Sequence, residues 1–245
     1  MFSELRSNGF DVLTLHHAEA IITHDMPHSE KEIQDVLLDL SIPVEEIVAG
    51  GGGETLSTQR MRRALDALDW KKVTIEIKKT VDGREVESLT HEIDHIKKFG
   101  PADWTFALEI EWNNKDPFFD RDLENFKRLH TEGAISIGGI ITRGESFQRS
   151  IRPLLLEFAR QREIQTIDDL QKFGYSPTAR QRKNIETRVR RNDGDLPQAW
   201  VDVFVADKYG EATTHWRKLD ERVRRGVGNP CPLILIGIPG TVIKL

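Results

Sequence analysis

LTHEIDHIKK, Leu89 to Lys98, can be read as a helix or as a strand, and the choice decides the fold. As a helix it sets His91 and His95 four residues apart on one face with Glu92 beside them, the H-E-x-x-H spelling of a zinc hydrolase. Leu89, Ile93 and Ile96 are spaced to suit that reading. As a strand, the segment puts Glu92 and Asp94 on one face and His91, Ile93 and His95 on the other. The flanks favour the strand. In VTIEIKKT (73–80), Val73, Ile75 and Ile77 alternate with Thr74, Glu76 and Lys78. Asp82-Gly83 then predicts a hairpin that returns through REVESLTHEIDHI. Gly100-Pro101 ends the segment too soon for a long active-site helix. The extended zinc pattern also fails, because Lys98 stands at its glycine and Pro101 at its third histidine.

WTFALEIEW (104–112) reads as the next strand, with Glu109, Glu111 and Asn113 on one side and Leu108, Ile110 and Trp112 turned to the core. Strands joined by a short connection usually pair, which brings Asp94 close to Glu109 and Glu111. Three carboxylates gathered on one face repel one another unless a cation sits among them, and Mg²⁺ takes oxygen ligands of this kind. The plainer reading is the polar side of a two-faced sheet, with the acids paired to Lys78, Lys97 or Lys98. Against it, the acids are followed by Asn113-Asn114 and not by lysines.

Outward from these strands, EKEIQDVLLDLSIP predicts an amphipathic helix from about Ser29 to Leu40. A run of four glycines, Gly50–Gly53, precedes a second helix carrying Met61, Leu65 and Leu68. The run is readable as an anion-holding loop or as a plain linker, and no ATP-type phosphate loop is spelled there. DPFFDRDLENFKRLHTEG gives a helix with Phe119, Leu123, Phe126 and Leu129 on one face, and AISIGGIITR (134–143) a strand covered on both faces. Helix, three-strand meander, helix, strand: the order predicts an α/β core with a central mixed sheet flanked by helices. The chain is expected to form one domain over 1–245. Its parts are an acidic helical segment (1–50), a core (54–143), a helical region (144–230) and a final strand (231–245) that includes PLILIGI. SIRPLLLEFARQR and TIDDLQKFG read as helical, as do stretches near 196–206 and 211–225, whereas 175–193 shows no clear period.

Composition is that of a soluble protein, with 38% hydrophobic and 31% charged residues and no apolar run of membrane-spanning length. Met1–Asp11 lacks the profile of a secretory signal, so a cytoplasmic location is expected. The single cysteine, Cys231, excludes a disulfide framework within the chain and a Cys-rich zinc site. Net charge is −5, yet residues 1–50 hold ten acids against Arg6 and Lys31 alone, leaving the remainder positive. Residues 178–192 concentrate Arg180, Arg182, Lys183, Arg188, Arg190 and Arg191 against the single Glu186. Local sign matters more than net charge to a polyanion, although a charge run is most simply a solvated helix face or loop.

EIDHI with Asp94, ALEIEWNNKDPFFDRDL with Glu109 and Glu111, and GAISIGGIITRG leading to Arg143 together resemble type II restriction endonucleases. The likeness is to the BglII/BamHI-like branch of the PD-(D/E)xK nuclease superfamily, over about residues 50–145 plus the last strand. It implies a restriction-endonuclease-like core and a homodimer on double-stranded DNA that hydrolyses phosphodiesters with Mg²⁺. Carried onto this chain, Asp94 and Glu109 are the metal-binding acids. Glu111 stands where most of the superfamily has lysine; the BamHI-like branch is similar to this chain in having an acid there, to orient or deprotonate the attacking water. Glu76 matches a further acidic position, while the rival spelling Glu76-Ile77-Lys78 lacks an upstream acid. Arg143 and the Gly50–Gly53 loop are candidate phosphate contacts. Arg180, Arg182, Lys183, Arg188, Arg190 and Arg191 are candidate DNA-reading residues. The acidic first fifty residues are expected at a dimer interface or shielding the basic groove. Two other functions stay open: a zinc-dependent hydrolase using His91, Glu92 and His95, and a non-catalytic DNA-binding module on the same fold.

Overall fold

A computed structural model describes residues 1–49, 54–191 and 193–245. Along them run α1 (Ser3–Ser7), β1 (Asp11–Leu15), α2 (Ala18–Asp25), α3 (Pro27–Leu38), β2 (Ile42–Pro43), α4 (Val44–Val48) and α5 (Leu56–Ala67). The ribbon strands β3 (Lys71–Val81) and β4 (Arg84–Phe99) follow, then β5 (Trp104–Glu111), α6 (Pro117–Thr131), β6 (Ile137–Arg143) and α7 (Glu145–Gln161). The remainder is α8 (Ala179–Arg191), α9 (Leu196–Lys208), α10 (Trp216–Arg224), β7 (Leu233–Ile238) and β8 (Ile243–Lys244).

Six strands form one mixed sheet in the order β1-β7-β6-β5-β4-β3. Strands β5, β6 and β7 are parallel at its centre, and every residue of β6 and β7 is buried. That is why their sequences are continuous apolar runs and not alternations. The N-terminal helices, α5, α7 and α9 pack one apolar cluster, and α6 and α10 pack a second around Phe119, Leu123, Phe126 and Leu129. Gly138 lets α6 lie this close to β6, since a Cβ there would meet the Phe126 ring at 2.6 Å.

Leu89–Lys98 is strand, inside β4. The turn before it has Asp82 at φ 49° and Gly83 at φ 76°, the left-handed pair that a two-residue hairpin needs. His91 and His95 are thus separated by about 13 Å of extended chain, and the helical zinc reading is corrected by the hairpin that precedes it.

Three further expectations change. The segment 175–193, without a clear period by eye, contains α8, anchored by buried Ile185 and half-buried Val189. TIDDLQKFG is helical as read, but of the 3-10 type (Ile167–Phe173), closed by a Thr166–Asp169 capping box. The acidic N-terminal segment is part of the body. It buries Phe2, Leu5, Ile22, Ile33 and Leu37 and adds β1, a strand the sequence did not announce, antiparallel to β7. Glu32 ties it down further, accepting hydrogen bonds from the Trp70 indole at 2.8 Å and from Lys97 at 2.6 Å.

Candidate active site

The pairing of β3 with β4 slips at two places, between Lys79 and Thr80 near the turn and again beside the acids. Lys71 faces Ile96 but Val73 faces Ile93, so β4 carries one extra residue in the stretch holding Asp94 and His95. A bulge of this kind re-aims side chains. Ile93 and Ile96, three apart, both join the cluster under α6, which strict alternation forbids, while His95 stands opposite Leu108. At the bulge the Asp94 N–H points at the Glu109 carboxylate, 3.4 Å away.

Glu109 and Glu111, at the end of β5, are held deep, with 5% and 3% exposure. Thr142 donates to the Glu111 carbonyl at 2.7 Å and fixes the end of β5 to β6. Burial first, then the neighbouring charges of Asp94 and Asp122, push Glu109 up to about 10 from its usual 4.5. Glu111 accepts from the Asn114 amide at 2.7 Å and from Arg121 at 3.3 Å. Burial and the adjacent Asp122 raise its pKa, and burial raises that of Asp122. These two acids titrate as a pair.

Asp122 is the member that sequence reading missed. It is buried on α6, one oxygen takes the Arg121 guanidinium at 2.8 Å, and its other oxygen has no partner. The signal lay in the spacing. Asp122 stands three residues after Phe119 and four before Phe126, a carboxylate inside the apolar stripe, but it reads as one more acid at a helix start. Buried Arg222 of α10 holds the first turn of α6 through Asp116 at 3.1 Å and Asp120 at 2.8 Å. Asp94, Glu109, Glu111 and Asp122 thus interact as one group of four acids.

Among the described residues no three His, Cys, Asp or Glu side chains already converge as a metal cage. The donor chemistry nevertheless suits a hard divalent cation. It offers carboxylate oxygens only, buried against one another, one of them without a hydrogen-bond partner.

The remaining candidates are placed elsewhere. Glu76 pairs opposite Thr90 on the exposed ribbon, where it accepts from Ser88 and meets Lys78 at 3.1 Å, outside the acid group. Arg143 is fully buried. Its guanidinium donates to the Trp112 carbonyl (2.9 Å), Gln148 (2.7 Å), the Thr213 hydroxyl (2.7 Å) and the Thr214 carbonyl (2.5 Å), and lies over Tyr209. The expected phosphate contact is therefore corrected to a buried pin that fixes the chain just after Glu111. Gly50–Gly53 lies outside the described residues. On α8, Arg182 pairs with Asp168 at 2.8 Å and Arg188 with Asp202 at 3.7 Å. Arg180, Lys183, Arg190 and Arg191 are exposed, with no ion pair among the described residues.

Asp94 opens onto a cavity of about 860 Å³ between the bulge, the start of α5 and the end of α9. The acid group thus stands beside an open cavity at a strand bulge. The family model described as restriction endonuclease BglII/BglIII matches residues 10–238, which include all four acids. The chain belongs to that family. It is a type II restriction endonuclease, a site-specific deoxyribonuclease acting on double-stranded DNA. No curated protein matches the endonuclease. No helix among its described residues is long and apolar enough to cross a membrane.

Proposed function

We propose that the endonuclease hydrolyses DNA phosphodiesters with Mg²⁺ held by Asp94 and Glu109, and that Asp122 completes the acid group around them. The single observation that carries this reading is the burial of Glu109 against Asp94 and Asp122, an arrangement unfavourable without a cation. Bound there, Mg²⁺ would supply charge neutralisation at the scissile phosphate and a lowered pKa for water. Glu111, steadied by Asn114 and Arg121, orients the attacking water and takes its proton. The water oxygen bonds to phosphorus, the bond to the leaving oxygen breaks, and that oxygen is protonated from solvent. Glu111 in place of a lysine supports the BamHI-like branch. Glu76 is outside this scheme on its position.

We read the whole chain as one cytoplasmic nuclease domain that works as a homodimer on a palindromic site, since a two-fold enzyme matches a two-fold sequence. Arg180, Arg182, Lys183, Arg188, Arg190 and Arg191 of α8 are assigned to DNA: six cations on one short helix, four of them exposed and without an ion pair among the described residues, suit a phosphate track and base edges. Digestion of plasmid DNA tests the reading. Discrete fragments are expected with Mg²⁺, none in EDTA, and full activity in His91→Ala, which removes a zinc-type ligand. Cleavage that requires His91 and Zn²⁺, or DNA binding without any cleavage, would overturn it. Sequencing the fragment ends gives the recognition site and cut position.

A further inference from the structure

The cavity beside Asp94 contains two groups that the acid cluster does not use. His95 lines it with 2% exposure, and neither ring nitrogen has a hydrogen-bond partner. A buried polar ring left so is costly unless a polar ligand completes it. Lys208, the last residue of α9, lines the same cavity half-buried. Its ammonium makes one hydrogen bond, to the Ala49 carbonyl at 3.1 Å, and lies 5.2 Å from the centre of the Phe204 ring. No carboxylate lies within ion-pair distance of it among the described residues, so two of its three N–H donors remain for a ligand. Arg62 and Lys72 add positive charge to the cavity wall. Each is paired with one acid, Arg62 with Glu54 of the same wall at 3.1 Å and Lys72 with Glu92 at 2.6 Å, which an incoming anion can replace. Of the other acids on the wall, Glu46 is engaged by Arg60 at 2.7 Å and Asp207 by Gln181 at 2.5 Å. Asp94 itself interacts with the Glu109 carboxylate.

We propose that this cavity seats the scissile phosphate, with Lys208 as the cation that positions it over Asp94 and His95 as the ring N–H donor completing its oxygen shell. The proposal rests on the hydrolytic reading above and adds the part that faces the substrate. A plainer role for Lys208 is a tether between the end of α9 and Ala49.

Full-length Lys208→Met and Lys208→Arg separate the two. Plasmid cleavage is measured with Mg²⁺, and binding in EDTA over a salt series uses a duplex carrying the site read from the fragment ends. Lys208→Met is expected to lower kcat on the order of 10²-fold. It should also flatten the slope of log affinity against log salt by about one, at an unchanged melting temperature. Lys208→Arg should restore most of both. A Lys208→Met enzyme with wild-type kcat and salt slope, or one that loses activity only as far as it unfolds, would show the tether alone. His95→Asn, which keeps a donor, should retain more activity than His95→Leu; equal activity removes His95 from the seat. If the wild type cleaves and Asp94→Asn does not, while Lys208→Met is unimpaired, this inference fails alone. If the wild type produces no fragments, the hydrolytic reading fails and takes the inference with it.

Discussion

Glu109 is one residue through which pH acts on the fold. Burial and its acidic neighbours hold its proton from the usual 4.5 up to about 10. Across that window the folded state binds the proton more tightly than the unfolded state, so the stabilisation present at acid pH is lost as pH rises. Without divalent cation, the melting temperature should therefore fall from about pH 6 to about pH 9. Glu109→Gln should flatten that fall and melt higher at alkaline pH, by roughly 2–4 °C for each kcal/mol relieved. Added Mg²⁺ should raise the wild-type melting temperature more at about pH 9 than at about pH 6, since cation and proton compete for the same oxygens. An unchanged slope in Glu109→Gln would remove this acid from the account. Arg143 carries the opposite kind of prediction. Arg143→Met takes the guanidinium donor from buried carbonyls at Trp112 and Thr214 and should cost about 1–3 kcal/mol for each carbonyl left unpaired. The salt dependence of DNA binding by the folded fraction should not change. Asp94, Glu109 and Glu111 were legible in the sequence because alternation and one short connection suffice to bring them together. Asp122 was not, because its partners lie on a strand that its own helix pattern does not name. Arg143 was not, because its burial depends on Thr213 and Thr214, seventy residues further along.

At the scale of elements, a two-residue turn does most to specify the fold. Asp82-Gly83 fixes the β3–β4 ribbon and so turns a helix-like H-E-x-x-H into a strand. The bulge beside it was not legible, because the alternating pattern of β4 is satisfied locally with or without an extra residue; only the register against Lys71 and Val73 reveals it. Five-residue β1 was missed because its partner β7 lies at the other end of the chain. α8 was missed because two apolar positions, Ile185 and Val189, are too few to mark a period. Its remaining residues are what solvent or a polyanion would meet. Replacing Arg180, Lys183, Arg190 and Arg191 together by alanine should leave melting nearly unchanged. The salt slope of DNA binding should flatten by about 0.9 for each phosphate that is no longer neutralised. A steep slope retained in that variant would move the DNA track elsewhere. Gly138→Ala should destabilise by about 1–3 kcal/mol through the clash with Phe126, read by denaturant unfolding.

For the whole molecule, the mixed sheet brings distant parts of the chain to one place. β4 and β5 supply three acids, α6 the fourth, and the end of α9 a lysine beside them. The class of the fold follows from the order of elements, whereas the membership of the site follows from packing that only the folded chain displays. The proposed homodimer should appear as a molecular mass twice that of the 28.1 kDa chain in light scattering. A monomer that cuts both strands at one site would contradict the two-fold reading. The central claim is that Asp94 serves chemistry and not merely the fold, and one comparison tests it most directly: cleavage and binding of the same DNA by wild type and Asp94→Asn. The expected result is wild-type melting and DNA binding in the variant, with cleavage in Mg²⁺ reduced by on the order of 10³-fold or more. Discrete fragments from Asp94→Asn at the wild-type rate would contradict it.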